Sequence, residues 1–354
     1  MPSSQSGVLW MNDIPILSDV TIAPGIPRYQ RYRWCDYVEL RCLTHMDKRF
    51  SRDNLAEAVG ESKELTSKGG DQAPDPDEFS VEEQENEEDE KFTSESQAID
   101  QTELLSVATF RHLRWRATVF GAAWPFEIDE HAQEITIKVA LNNTHYLYLQ
   151  LLLSALLKYC PKKRSSIYTS TFENLSFHIF KDLMPKGAEV HQFGAGHSSR
   201  YTGRIFNRLQ KLSNDVQGKF LLTEEDFSNT HAGDGGLDLV AWHDLKDQRD
   251  NIPIAFAQCG CTATGWPTKM LEASPAMLGK KLVTGHDWST YYFMPLDLCD
   301  ERDGKTSWMA GGYQINGIVI DRLRFIRMAD ADYLETQKVL TKEAVKEALA
   351  YKLT

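Results

Sequence analysis

The chain lacks any apolar run of the ~20 residues that a bilayer-crossing helix needs. Its most apolar stretch, Tyr146 to Leu157, is broken by Gln150 and Ser154 and predicts a buried helix. Cysteine is scarce. Six cysteines in 354 residues (Cys35, Cys42, Cys160, Cys259, Cys261, Cys299) do not make a small-domain disulfide framework, and the amino terminus shows no basic segment followed by an apolar core. A cytoplasmic protein with no membrane association is expected. A phosphate-cradling Walker loop and a G-x-G-x-x-G fingerprint are both missing, which disfavours ATP-driven and dinucleotide-dependent enzymes. Net charge is missing too, outside one place: residues 61–100 hold 15 Asp and Glu against 3 Lys, which is the whole of the formal −12. The neutral remainder is compatible with nucleic-acid binding through local patches.

What is present suggests several segments. Residues 1–60 read as an α+β part with strand-like pieces at Gly7–Met11 and Tyr37–Cys42, and with Ser51 capping a short helix through Ala58. The stretch Arg28 to Trp34 interleaves basic and aromatic residues, a pattern common where amphipathic side chains pack a small sheet and one that can also contact phosphate and stack on bases. Residues 61–100 read as an acidic disordered linker, dense from Glu82 to Glu90, with too little apolar content to offset the entropy of ordering. Such an arm can also mimic DNA and compete for a basic groove. Residues 101–164 complete the first part: a β-hairpin over Pro125–Leu141, then a helix entered at Asn142-Asn143 and ending near Tyr159, then a cationic loop at Lys162-Lys163-Arg164.

A core follows over 165–330. Ser170 or Thr171 is expected to cap a helix running to about Met184, with Phe172, Leu175, Ile179 and Leu183 at buried spacing. A strand over Glu189–Gly194 and an amphipathic helix over Tyr201–Val216 come next, with Arg200, Arg204, Arg208 and Lys211 as one cationic stripe. More β structure is expected over 282–328, a helical region headed by Asp321, and a capped helix from about Thr341 within the last segment, 331–354.

The most informative stretch is Gly233-Asp234-Gly235-Gly236-Leu237-Asp238-Leu239-Val240-Ala241-Trp242, followed by Ile252 to Gly260. Both runs have the apolar content of buried strands, joined by a polar connection. A carboxylate in such a strand needs a partner, a hydrogen bond or a metal. Asp238 and Gln258 could together hold Mg²⁺, a hard cation that prefers oxygen; alternatively Asp238 bonds only nearby backbone in a surface hairpin.

These residues resemble the core of the PD-(D/E)xK nuclease superfamily, most of all its Mrr-like restriction endonuclease group. The resemblance spans roughly residues 165–275. It implies an α/β fold, a restriction-endonuclease-like core with a mixed β-sheet flanked by helices. In that pattern a Gly-rich turn leads into a strand Asp, here Asp238; the next strand carries Glu or Gln, here Gln258; and a preceding helix supplies a Glu, here Glu173. Near a helix start, Glu173 would also suit the helix dipole. The pattern's lysine, two residues after Gln258, is replaced by Gly260, and Lys269 is the candidate for a displaced cation. The resemblance implies DNA as partner and Mg²⁺ or Mn²⁺ as cofactor, held by Glu173, Asp238 and Gln258. It further implies phosphodiester hydrolysis, in a prokaryotic restriction or anti-phage system with a possible protein partner. The alternatives are an inactive nuclease-fold module that binds nucleic acid or protein, and an unrelated interaction scaffold. A zinc site at Cys259 and Cys261 with His286 or Cys299 has the wrong spacing and no second pair, and Cys259 reads as a small apolar strand residue and not a nucleophile.

Overall fold

The computed structural model describes residues 17, 20–21, 23, 25–26, 30–68, 95–194, 200–226, 236–302, 305–309 and 316–352. In chain order the elements are α1 (Arg31–Thr44), β1 (Arg49–Ser51), α2 (Arg52–Lys68), α3 (Glu95–Phe120), β2 (Phe126–Asp129), β3 (Glu134–Ile137), α4 (Asn143–Ala155), α5 (Lys162–Leu183), β4 (Glu189–Gln192), α6 (Ile205–Asp215), β5 (Lys219–Phe220), β6 (Leu239–Trp242), β7 (Ile254–Cys259), α7 (Trp266–Glu272), α8 (Pro275–Leu278), β8 (Leu282–Val283), β9 (Ser289–Phe293), β10 (Cys299–Arg302), β11 (Lys305–Trp308), β12 (Ile318–Ile320), α9 (Arg322–Met328) and α10 (Ala331–Ala350). No helix among the described residues is long and apolar enough to cross a membrane. The chain divides into two units. The first comprises residues 1–171, 296–307 and 334–354, the second residues 172–295 and 308–333.

In the first unit, β1, β3 and β2 form an antiparallel sheet, and the hairpin expected over Pro125–Leu141 is there. Asn142 caps α4 by accepting from the His145 N–H while the His145 ring accepts from the Asn142 N–H, the reciprocal arrangement that satisfies two orphan donors. Tyr37 to Cys42 is not a strand. It lies inside α1, whose side chains are buried almost all round, because Arg116 of α3 reaches in and bonds Asp36 and Glu39 at 2.8 and 3.0 Å. Tyr148 and Trp124 also donate to Glu39, and Asp297 lies 3.1 Å from Arg116 Nε. Tyr32 and Trp34, expected as possible base-stacking groups, are core residues. Ser51 does cap α2, accepting from the Asn54 N–H at 3.1 Å. That helix continues to Lys68, and α3 begins at Glu95, so helix occupies both ends of the stretch expected as linker; residues 69–94, including Glu82 to Glu90, lie outside the described residues, as do Gly7–Met11. Lys162 to Arg164 is the first turn of α5 and not a loop, and Arg164 is buried against Glu347. Thr341 lies mid-helix in α10, its hydroxyl bonded back to the Gln337 carbonyl.

The second unit carries a five-stranded mixed sheet in the order β12-β9-β7-β6-β4. β6 runs antiparallel to both its neighbours, β4 and β7; β7, β9 and β12 run parallel, the parallel connection from β7 to β9 passing through α7 and α8. Helices cover both faces. On one, Leu209 and Leu212 of α6 pack with Val240, Trp242, Ile254, Phe256 and Trp288. On the other, Phe180 of α5 meets Tyr291 and Phe293 of β9 edge-on, and Phe325 of α9 packs on Phe172 and Phe293. Two expectations fail here. Ser170 and Thr171 do not cap a helix, since α5 starts at Lys162 and runs through them, which puts Glu173 in mid-helix and removes the dipole explanation for it. The cationic stripe is dispersed as well: Arg200 pairs with Asp215, Arg204 with Glu224, and buried Arg208 donates to the Phe193 carbonyl.

Candidate metal centre at the β6 and β7 ends

Asp238 immediately precedes β6, and its backbone continues the ladder on both sides. Its N–H donates to the Ala257 carbonyl at 3.0 Å, and its carbonyl accepts from the Phe193 N–H at 2.7 Å. The side chain is used locally too: a carboxylate oxygen accepts from the Cys259 N–H at 2.6 Å. The backbone bond alone therefore accounts for part of the cost of a carboxylate in this position, as the hairpin alternative requires. Gly236, at φ +81°, sits at the turn into the strand; Gly233 to Gly235 lie outside the described residues.

Glu173, one helical turn before Ser176 on α5, lies near enough for its charge to act at the end of β7. Both thiols at the end of β7 register it. Burial first, then the charges of Asp238 and Glu173, hold the Cys259 thiol well above its usual range. For Cys261 the order is burial, Glu173, then Asp238, with Lys269 acting the other way. Glu173, Asp238 and Lys269 thus all bear on one short segment, Cys259 to Cys261. The two carboxylate charges among those causes favour a cation nearby, whereas the burial that leads them disfavours any charged group. Burial, with the two carboxylate charges, removes a nucleophilic role for either thiol.

Gln258 lies on β7 with its amide nitrogen donating to a carboxylate oxygen of Glu272 at 3.1 Å. A carboxylate only accepts, so this bond fixes the amide: the nitrogen faces Glu272 and the oxygen faces inward. That inward Oε1 is buried with no hydrogen-bond partner among the protein atoms. Glu272, the last residue of α7, was not singled out from sequence. The signal for it is Gly236, where a Cβ would stand 2.5 Å from Glu272 Cβ, so the glycine before Asp238 makes room for the residue that orients Gln258. Lys269 is exposed on α7, one turn from Glu272.

Gly260, at the lysine position of the resemblance, is occupied by a neighbour. A Cβ there would lie 1.9 Å from Tyr292 Oη and 2.8 Å from its Cζ. Tyr292 pairs with Gln258 across the parallel β7/β9 register and is stacked by Trp266 with ring centroids 6.1 Å apart. No lysine fits at position 260 while Tyr292 stays in place.

The donor set fits a hard divalent cation in kind: two carboxylates, an unpaired buried amide oxygen, and protonated thiols that do not compete. Among the described residues, no trio of His, Cys, Asp or Glu ligand atoms that includes Glu173, Asp238, Cys259 or Cys261 closes to within 4.8 Å, so any ion here would lean on Gln258 and on its own waters, as Mg²⁺ commonly does. The zinc alternative finds no support. Both ring nitrogens of His286 face backbone carbonyls, those of Ile252 and Asp287, at 2.9 and 2.8 Å. Comparison of the chain with family models, curated proteins and solved structures gives no match.

Proposed function

We propose that the second unit is a restriction-endonuclease-like core of the PD-(D/E)xK type, and that it hydrolyses DNA phosphodiesters with Mg²⁺ or Mn²⁺, in a prokaryotic restriction or anti-phage setting. The observation that carries this reading is the meeting of the Asp238 and Glu173 charges at the end of β7, beside a Gln258 amide oxygen held inward without a partner. Support also comes from chain order: the helix with Glu173 precedes the antiparallel strands that bring Asp238 and Gln258 side by side.

In this reading Glu173, Asp238 and Gln258 would hold the ion, and Glu272, by taking the Gln258 amide nitrogen, would leave its oxygen free for that role. A bound divalent cation supplies a water of lowered pKa and neutralises charge on the phosphate. Lys269, exposed on α7, adds a positive charge beside the segment where a lysine at 260 would have stood, and so stabilises the negative charge that builds on the phosphate oxygens. Asp238 is doubly used, since its bond to the Cys259 N–H fixes the orientation of the carboxylate relative to β7.

The competing reading is an inactive module that keeps the fold and binds nucleic acid or a protein. Its specific support is Gly260, where Tyr292 leaves no room for the lysine. One experiment separates them: purified protein incubated with DNA and Mg²⁺ or Mn²⁺, beside Asp238→Ala. Loss of cleavage in a folded Asp238→Ala variant is expected. Full cleavage by that variant refutes the metal centre, and a wild type that binds DNA without cutting it supports the inactive module.

A further inference from the structure

Of the several buried polar atoms of the second unit without a hydrogen-bond partner among the protein atoms, two belong to residues paired across one register: Gln258 Oε1, which can only accept, and Tyr292 Oη, which can donate. Tyr292 is 0% exposed, so its hydroxyl has no access to bulk solvent and cannot touch a nucleic acid. Isolated buried polar groups are rare in native proteins because each costs the desolvation of the group. Here two of complementary type occur on neighbouring residues. The Tyr292 hydroxyl packs against the bare backbone of Gly260, where any Cβ would strike Oη. The Gln258 amide cannot escape by turning over, because its nitrogen is committed to Glu272.

We propose that Tyr292 is a positioning residue of the metal centre: its hydroxyl and the Gln258 amide oxygen share one trapped water, which accepts from Tyr292 and donates to Gln258, and so fixes the oxygen that ligates the cation. A buried water with such partners is an ordinary structural element, and the amide oxygen keeps a second lone pair for the ion. Tyr292 stands behind the ligand as an outer partner, the kind of group whose loss costs about 10–100-fold in metal affinity. The proposal rests on the metal-centre reading of the previous subsection for its functional part, while the shared water itself does not.

The test is a double-mutant cycle of Tyr292→Phe, Gln258→Leu and the pair, read in two ways that need no DNA. Apo thermal unfolding reports the water. Tyr292→Phe keeps the ring and removes only the oxygen, so a bridged hydroxyl lowers the midpoint by a few degrees, and the pair loses less than the sum of the singles. An unchanged or raised midpoint in Tyr292→Phe with strict additivity overturns the proposal, because deleting a hydroxyl that never had a partner relieves a penalty. Calorimetric titration with Mn²⁺ reports the ligand role: a fall of about tenfold or more in affinity is expected for Tyr292→Phe, and equal affinity overturns that role. Coupling in apo unfolding with a wild type that cuts no DNA would keep the water and discard the nuclease, whereas cleavage and Mn²⁺ binding without coupling would do the reverse.

Discussion

Replacing Gly260 by lysine restores the residue that the nuclease pattern has two positions after Gln258, and should damage the protein. The damage is steric and begins at Cβ, which would stand 1.9 Å from Tyr292 Oη and 2.8 Å from Cζ. Tyr292 is fully buried, is stacked by Trp266 and is held in the sheet by the β7/β9 pairing, so it has no rotamer to withdraw into without moving its neighbours. Overpacking of this kind costs about 1–3 kcal/mol. At about 2–4 °C per kcal/mol for a folding unit of this size, the midpoint should fall by about 2–12 °C. Gly260→Ala isolates the cause. Gly260 is not among the positive-φ glycines, so alanine adds no backbone strain, and most of the loss should already appear with the single methyl. Tyr292→Leu in the Gly260→Ala background should then cost less than it does in wild type, since it removes the clashing atoms. Scanning calorimetry of wild type, Gly260→Lys, Gly260→Ala, Tyr292→Leu and the double variant decides the matter. A Gly260→Ala midpoint within about one degree of wild type would show that the Tyr292 contact is not rigid, and faster DNA cleavage by a stable Gly260→Lys would show that the glycine is simply a lost lysine.

Two further expectations follow from single groups. Lys269→Ala should slow single-turnover cleavage by about 10²–10³ with DNA affinity nearly unchanged, the scale for one electrostatic stabiliser; a rate within about twofold of wild type rejects its role, and equal losses of binding and rate make it a phosphate contact. His112 in the first unit titrates in the folded chain at about 3, lowered first by burial and then by the Arg116 charge, against about 6.5 unfolded. The folded state therefore binds fewer protons: the stabilisation is complete above pH 6.5 and is lost as pH falls toward 3, at up to about 1.4 kcal/mol per pH unit. Urea midpoints between pH 7 and pH 4 should fall less steeply in His112→Phe, and parallel curves would refute the assignment.

Where sequence periodicity reports one buried face it reads true, and where an element is buried all round it misleads. The β2–β3 hairpin and the Asn142 cap of α4 are local events, each settled within a few residues. Tyr37 to Cys42 alternates like a strand, yet it is helix, because Asp36 and Glu39, polar residues that ought to mark a solvent face, turn inward to Arg116, 80 and 77 residues away. Ser170 looks like a cap for the same local reason that makes serine a good one. Here the helix is already under way, and the hydroxyl bonds back to the Ile167 carbonyl at 3.2 Å.

The candidate site divides along the same line. Gln258 is legible as a polar residue in an apolar strand, and Asp238 as a carboxylate leading directly into one. Glu272 and Tyr292 are not, since α7 and β9 return to β7 only through the parallel connection, and no local spacing announces that return. Gly260 is the sharper case. As sequence it is a missing lysine and argues for a retired enzyme; in the sheet it is the space that Tyr292 requires. A surface kept only for binding would gain from turning its polar groups outward, where water satisfies them at no cost. This site does the opposite: Glu272 holds the Gln258 amide nitrogen so that the oxygen points inward, Gly236 clears the way for Glu272, and the Tyr292 hydroxyl is buried beside it. Each of those inward polar atoms costs about 1–3 kcal/mol if it stays unpaired. In the proposed reading, the shared water and a bound ion would offset that cost.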